Sequence, residues 1–267
     1  MARKLNPIII KLGGSVITEK DRLFKPSTTI IERLAREIAI SKTGPIVIIH
    51  GGGSFGHPIA NQYDLVKGYK YSDQLMGFAK TRQAMVELNK MIIDALIKNN
   101  LSAVSVQPSS CIITKNGRID TFNCETVKKL LDLNLIPVLY GDAVLDYDLG
   151  FTILSGDQLS AYLAVKLISK KIVIGVDVDG LYTKDPKKDS TASLIKYITI
   201  EKLKKIIEGM DITTYTDVTG GMKGKIIELI PAIKRGTIIK IINAKIPNRL
   251  VKALRDEEVK GTTLLLG

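Results

Sequence analysis

Tryptophan is absent from this 267-residue chain, and aromatic residues make up only 5% of it. A surface that stacks nucleobases needs several aromatic rings, so a single-stranded nucleic-acid platform is not expected. Cysteine is scarce as well. Cys111 and Cys124 form no CxxC pair, and with only His50 and His57 for company they do not supply a structural zinc site. Two reduced thiols are the expectation. No apolar run reaches the roughly 18 residues of a membrane span. The first apolar segment, Ile8-Ile9-Ile10, stops at Lys11 and is too short for a signal-peptide core. The expected protein is cytoplasmic, with neither nucleic acid nor membrane as partner.

What the chain does contain is a core. Hydrophobic residues are 45% and charged residues 25%, and the length suits one large α/β domain. The net charge is +12, with lysines spread along the helical stretches and not gathered in a block. That excess suits plain solvated lysines or attraction of an anionic metabolite.

Short β-branched runs alternate with helical spacing. Strands are expected at 7–12, 45–49, 102–106, 136–140, 171–176, 237–242 and 262–266. Helices are expected at 28–42 with Thr28 as N-cap, then near 72–99, 124–133, 155–169, 200–209, 221–234 and 248–255. Two hairpins are expected around Lys115-Asn116-Gly117-Arg118 and Tyr147-Asp148-Leu149-Gly150. The alternation predicts a mainly parallel central sheet with helices on both faces, and the hairpins predict antiparallel strands at an edge. No linker divides the chain, so a single domain is expected, with a change of role near residue 155.

Five turns carry the chemistry. Lys11-Leu12-Gly13-Gly14-Ser15 ends a strand in two glycines, which let a backbone approach a phosphate. Lys20 lies beyond it and can reach the same anion. Both also fit a simple tight turn with solvated lysines. His50-Gly51-Gly52-Gly53-Ser54-Phe55-Gly56-His57 is rich in glycine, costly to order, and suited to wrapping an anion at a helix N-terminus. His57 can donate to a phosphate oxygen, whereas His50 sits where it can simply pack. Gly51, Gly53 and Gly56 satisfy G-x-G-x-x-G, but no acid follows at the end of a next strand, so the dinucleotide reading fails. A Walker A loop is missing. Ser155-Gly156-Asp157-Gln158 opens a helix, with Asp157 either a capping acid or a holder of lysines. Val176-Asp177-Val178-Asp179-Gly180-Leu181-Tyr182-Thr183-Lys184-Asp185-Pro186 leaves a buried strand, and Gly220-Gly221-Met222-Lys223-Gly224-Lys225 opens another helix.

In this order these motifs resemble the amino-acid-kinase superfamily over residues 8 to about 227. The Phe55-Gly56-His57 extension and Lys20, nine residues after Lys11, are similar to the isopentenyl phosphate kinase subfamily. The resemblance implies an αβα sandwich, usually a homodimer. It implies an acceptor-binding half at about 1–154 and a nucleotide-binding half at about 155–267. It implies ATP and Mg²⁺ as cofactors and a phosphorylated isoprenoid as substrate. Phosphorylation of isopentenyl phosphate to isopentenyl diphosphate, in an alternate mevalonate route, is the implied reaction. Lys11, Gly13, Gly14 and Ser15 would meet the transferring phosphates. Gly52, His57 and Gly156 would hold the acceptor phosphate, and Gly53 would face ATP. Asp177, Gly221 and Lys225 would contact the nucleotide, together with Tyr182 and Lys184. Asp157 would organise the lysines, and no protein metal ligand is assigned. Met76, Phe78 and Ile92 are candidates for an apolar pocket, or for ordinary core. Fosfomycin-type, uridylate, acetylglutamate and aspartate kinases, and a non-catalytic nucleotide sensor, are the competing readings.

Overall fold

A computed structural model describes residues 6–184, 189–203 and 222–267. In chain order the strands are β1 (Ile8–Leu12), β2 (Ile46–His50), β3 (Ala103–Ser105), β4 (Ile112–Lys115), β5 (Arg118–Phe122) and β6 (Ile136–Tyr140). They continue with β7 (Asp142–Asp146), β8 (Gly150–Leu154), β9 (Lys171–Val176), β10 (Tyr197–Thr199), β11 (Ile238–Asn243) and β12 (Gly261–Leu265). The helices are α1 (Gly14–Ile17), α2 (Thr28–Ser41), α3 (Gly53–Gln62), α4 (Asp73–Lys98), α5 (Glu125–Asp132), α6 (Gly156–Lys166), α7 (Lys223–Lys234) and α8 (Arg249–Leu254). Residues 200–203 are helical, and the rest of the helix expected at 200–209 lies outside the described residues, as does Gly221. Thr28 is the first helical residue of α2, and Ser27 takes the N-cap position assigned to it from sequence.

Eight strands form the central sheet in the order β10-β12-β11-β9-β1-β2-β6-β3. All neighbours are parallel except β11 and β12. Period-two alternation sends successive side chains to opposite faces. Ile9, Val47, Ile49, Ile172 and Ile174 join one core with the apolar stripes of α6 and α7. Ile10, Ile46, Ile48 and Val173 join a second core with α2, α4 and α8. Each fully buried Ile or Leu contributes about 1.5–3 kcal/mol. No helix among the described residues is long and apolar enough to cross a membrane.

The sandwich and its mainly parallel sheet agree with the alternation of the sequence. The hairpins are where sequence and structure part. They do not extend an edge of the central sheet. They pair with each other, β4 parallel to β7, into a separate four-stranded sheet of order β5-β4-β7-β8. Asp146 pins the two turns together. Its carboxylate accepts from the backbone N–H of Gly117 (2.8 Å), Leu149 (2.8 Å), Asp148 (2.9 Å) and Asn116 (3.2 Å), and from Thr114 Oγ1 (2.7 Å).

The register of β1 sets the position of the site. Leu12 pairs with His50 on one side and with Gly175 on the other. The loops after β1, β2 and β9 therefore leave the same sheet edge side by side, where ligands of open α/β sheets bind.

Candidate active site

The first two glycine loops touch backbone to backbone. A Cβ on Gly14 would stand 2.3 Å from the Gly53 nitrogen, and one on Gly53 would stand 2.1 Å from Thr18 Oγ1. Gly53 also has φ +49°, in the left-handed region that favours glycine. Thr18, not foreseen from sequence, staples the loops: its Oγ1 donates to the Gly14 carbonyl (2.8 Å) and accepts from Ser54 N–H (3.0 Å). Both loops open helices, α1 and α3, so free N–H groups gather at one point.

Beneath the loops sits a cleft of about 720 Å³. At its floor Asp157, in the first turn of α6, holds two lysines. Lys11 Nζ is 2.9 Å from Oδ1 and Lys225 Nζ is 2.8 Å from Oδ2. Burial alone would raise the Asp157 carboxyl, but Lys11 and Lys225 overcome it and keep the group ionised. Lys11 is buried and its pKa is pushed down by burial and by Lys225, against the pull of Asp157. Ser155 caps α6, accepting from Gln158 N–H at 3.0 Å, as its position predicts.

A second carboxylate, Asp177 at the end of β9, accepts from Ser15 Oγ (3.0 Å) and pairs with Lys20 at 2.7 Å. Burial raises it, but the Lys20 and Ser15 contacts bring its pKa below the ordinary carboxylate value. Three ammonium groups thus face two carboxylates, and the remaining cationic charge faces the cleft. His57 lies exposed on the rim. Desolvation of the part of its ring turned into the cleft, then Lys11 and Lys225, lowers its pKa, so it is a neutral imidazole near pH 7.

The structure brings the sequence candidates together. Lys11, Gly13, Gly14, Ser15, Lys20, Gly52, Gly53, His57, Gly156, Asp157, Asp177, Tyr182, Lys184 and Lys225 all line this cleft. Tyr182 donates to Asp179 (3.3 Å), which also binds Lys260 (2.7 Å) and so tethers the loop after β9. Lys184 is paired with Asp189 at 2.8 Å. His50 is fully buried, stacks on Tyr140 and contacts Asn89 and the Gly51 carbonyl; burial pushes its pKa down to about 4. It packs beneath the loop and stands outside the cleft lining.

The apolar-pocket candidates fare differently. Met76 is exposed, Ile92 is core, and Phe78 packs on Phe151 in a small satellite cluster. None lines the cleft. Its apolar wall is made by Ala60, Thr81, Met85, Ile153 and Leu154. Met85 was not foreseen from sequence: its sulfur fills the space left by the missing side chains of Gly52 and Gly56. Among the described residues no three His, Cys, Asp or Glu side chains cluster as a metal cage.

Known proteins resemble this chain along most of its length. The model of the amino acid kinase family matches residues 6–243. The isopentenyl phosphate kinase of Methanothermobacter thermautotrophicus is 41% identical over 266 residues, covering 96% of this chain and 98% of that protein. The enzyme of the same name from Methanocaldococcus jannaschii is 34% identical, covering 96% and 97%. A crystal structure of an isopentenyl phosphate kinase superposes with TM-score 0.85 at 38% identity, over 96% of this chain and 99% of that one. UMP kinase from Ureaplasma parvum shares the fold, with TM-score 0.65 at 19% identity.

Proposed function

The chain belongs to the amino acid kinase family, and within it we propose that it transfers the terminal phosphoryl group of ATP to isopentenyl phosphate, giving isopentenyl diphosphate for isoprenoid synthesis. The observation that carries this reading is the pair of lysines clamped on Asp157 below two interlocked glycine loops, with an apolar wall beside them. The full-length likeness to enzymes of that name supports it.

A phosphate acceptor is already anionic at neutral pH, so no general base is needed. The main barrier is bringing two anions into line, and cations aimed at the transferring group lower it. Lys11 and Lys225 would meet the β- and γ-phosphates from the floor. Lys20 would leave Asp177 to follow the charge in flight. His57 would donate one hydrogen bond to the acceptor phosphate, with the N–H groups of Gly52 and Gly156 beside it. Ala60, Met85 and Ile153 would take the hydrocarbon tail. Residues of the first half, to about 154, would bind the acceptor. Residues from about 155, with Asp177, Tyr182, Lys184, Gly221 and Lys225, would bind the nucleotide.

Mg²⁺ would arrive as an ion carried by the nucleotide phosphates, in a cleft lined by the carboxylates of Asp157 and Asp177. Bound there, it would neutralise phosphate charge. The proposed assembly is a homodimer, and the proposed compartment is the cytoplasm, where ATP is abundant and Cys111 and Cys124 stay as the free thiols seen here.

A coupled ADP-release assay over isopentenyl phosphate, UMP, acetylglutamate, aspartate and fosfomycin tests the assignment. Turnover should be fastest with isopentenyl phosphate. Faster turnover of another acceptor would move the chain elsewhere in the family, and turnover of none would make it a nucleotide sensor.

A further inference from the structure

One group of contacts beyond the Asp157 centre joins three elements, and phosphoryl transfer as set out above does not use it. The turn between β4 and β5 carries Gly117, and Arg118 opens β5. Gln158, next to Asp157 on α6, grips that turn twice. Its Oε1 accepts from Ile119 N–H at 2.8 Å, and its Nε2 donates to the Gly117 carbonyl at 3.0 Å. Arg118 reaches the other way. Its Nη1 and Nη2 donate to the two carboxylate oxygens of Glu228 at 2.6 and 2.8 Å. Glu228 stands three residues after Lys225 on α7, so the two side chains share a helix face. Lys225 returns to Asp157 at 2.8 Å. The contacts close a ring through Asp157, Lys225, Glu228, Arg118 and Gln158, and back along α6.

A forked arginine–carboxylate pair sets direction as well as distance. The Arg118 side chain is 59% exposed, so the pair adds at most about 1 kcal/mol to folding. Its position matters more. Ile226 and Leu229 seat α7 in the core. Lys225, by contrast, ends a flexible four-carbon stem and must share its ammonium when phosphates arrive. A misplacement of about 1 Å at such a group can cost about 100-fold in rate.

We propose that Arg118, acting through Glu228, is a positioning residue for Lys225. The pair holds the rotation of α7 and with it the reach of the ammonium toward the transferred phosphate. This rests on the phosphoryl-transfer reading of Lys225.

The test is a double-mutant cycle. Arg118→Ala and Glu228→Ala should each lower kcat by about 10-fold and weaken ATP several-fold. The acceptor KM should stay near wild type, and Tm should move by no more than about 4 °C. In a Lys225→Ala background, Arg118→Ala should add nothing, since no ammonium remains to be placed. Arg118→Lys should recover the rate only in part, because it keeps the charge and loses the fork. An Arg118→Ala enzyme with wild-type kcat and ATP affinity would overturn the proposal. So would an Arg118 effect that persists in full without Lys225, which is what a purely structural brace gives. If the wild-type chain turns over no acceptor, the transferase reading fails separately. Calorimetric ATP affinities of wild type, Arg118→Ala, Lys225→Ala and the double variant then still decide whether Arg118 and Lys225 are coupled.

Discussion

Asp157 and Asp146 are both kept ionised against the pull of burial, by opposite means. Asp157 is held by the ammonium groups of Lys11 and Lys225. Asp146 is brought down to about 2 by backbone N–H groups and the Thr114 hydroxyl. A lysine can turn toward an arriving phosphate by changing rotamers. A turn amide cannot let go without the turn coming apart. The cleft is therefore made of exchangeable contacts, and the hairpin sheet behind it of permanent ones. Gln158 connects the two, one residue from Asp157 and bonded to the turn that Asp146 holds.

The contrast can be broken most severely at Lys225. Lys225→Ala should lower kcat by about 100- to 1,000-fold, the scale for losing one donor to a charged transition state. Asp157 keeps Lys11 in that variant, so Tm should shift by only a few degrees; a collapse in Tm would show that the exchangeable contacts also carry the fold. Asp146→Ala should do the reverse. It leaves several N–H groups unpaired, and urea unfolding should show a loss of about 3 kcal/mol. Turnover per folded molecule should stay within a few-fold.

Lys20→Ala removes the cation that waits on Asp177. We expect kcat to fall by about 100-fold with acceptor KM changed far less, read in single-turnover and steady-state runs. An unchanged kcat would mean that Lys20 stays parked. The smallest effect is expected at His57, where His57→Ala should raise acceptor KM about 10-fold, the worth of a hydrogen bond to a charged group. The wild-type imidazole has a lowered pKa and is neutral at pH 7, so the KM ratio of mutant to wild type should be flat from pH 7 to 8. Only as pH falls through that lowered pKa, beneath the ordinary imidazole value, does the wild-type ring gain a proton and bind the phosphate more tightly, and there the ratio should widen.

Seven of the eight strands of the central sheet were legible from their β-branched runs, and the first two loops from glycines that serve no core; the three-residue edge strand β10 was too short to show. The hairpin turns were legible too, since Asn116-Gly117 is turn chemistry. Which sheet they join was not, because long-range bonds from Asp146 and a parallel β4–β7 pairing decide it. The apolar wall was missed for a related reason. Helix α4 runs for 26 residues and offers apolar side chains on several faces. Periodicity alone cannot say that Thr81 and Met85, four apart, face the cleft while Ile92 faces the core. The partners of Asp177 were likewise hidden, since Ser15 lies 162 residues away in the chain.

The backbone contact between the two glycine loops bears on how this gene tolerates random change. Single substitutions at Gly14 or Gly53 have no space to enter, so even alanine should be missing from the survivors of a saturation library selected for activity. Gly224, one residue before Lys225, meets nothing within 4 Å of its absent Cβ and carries no positive φ. Alanine should persist there, marking where the phosphate-binding backbone is locked by its neighbours and where it is merely short of a side chain.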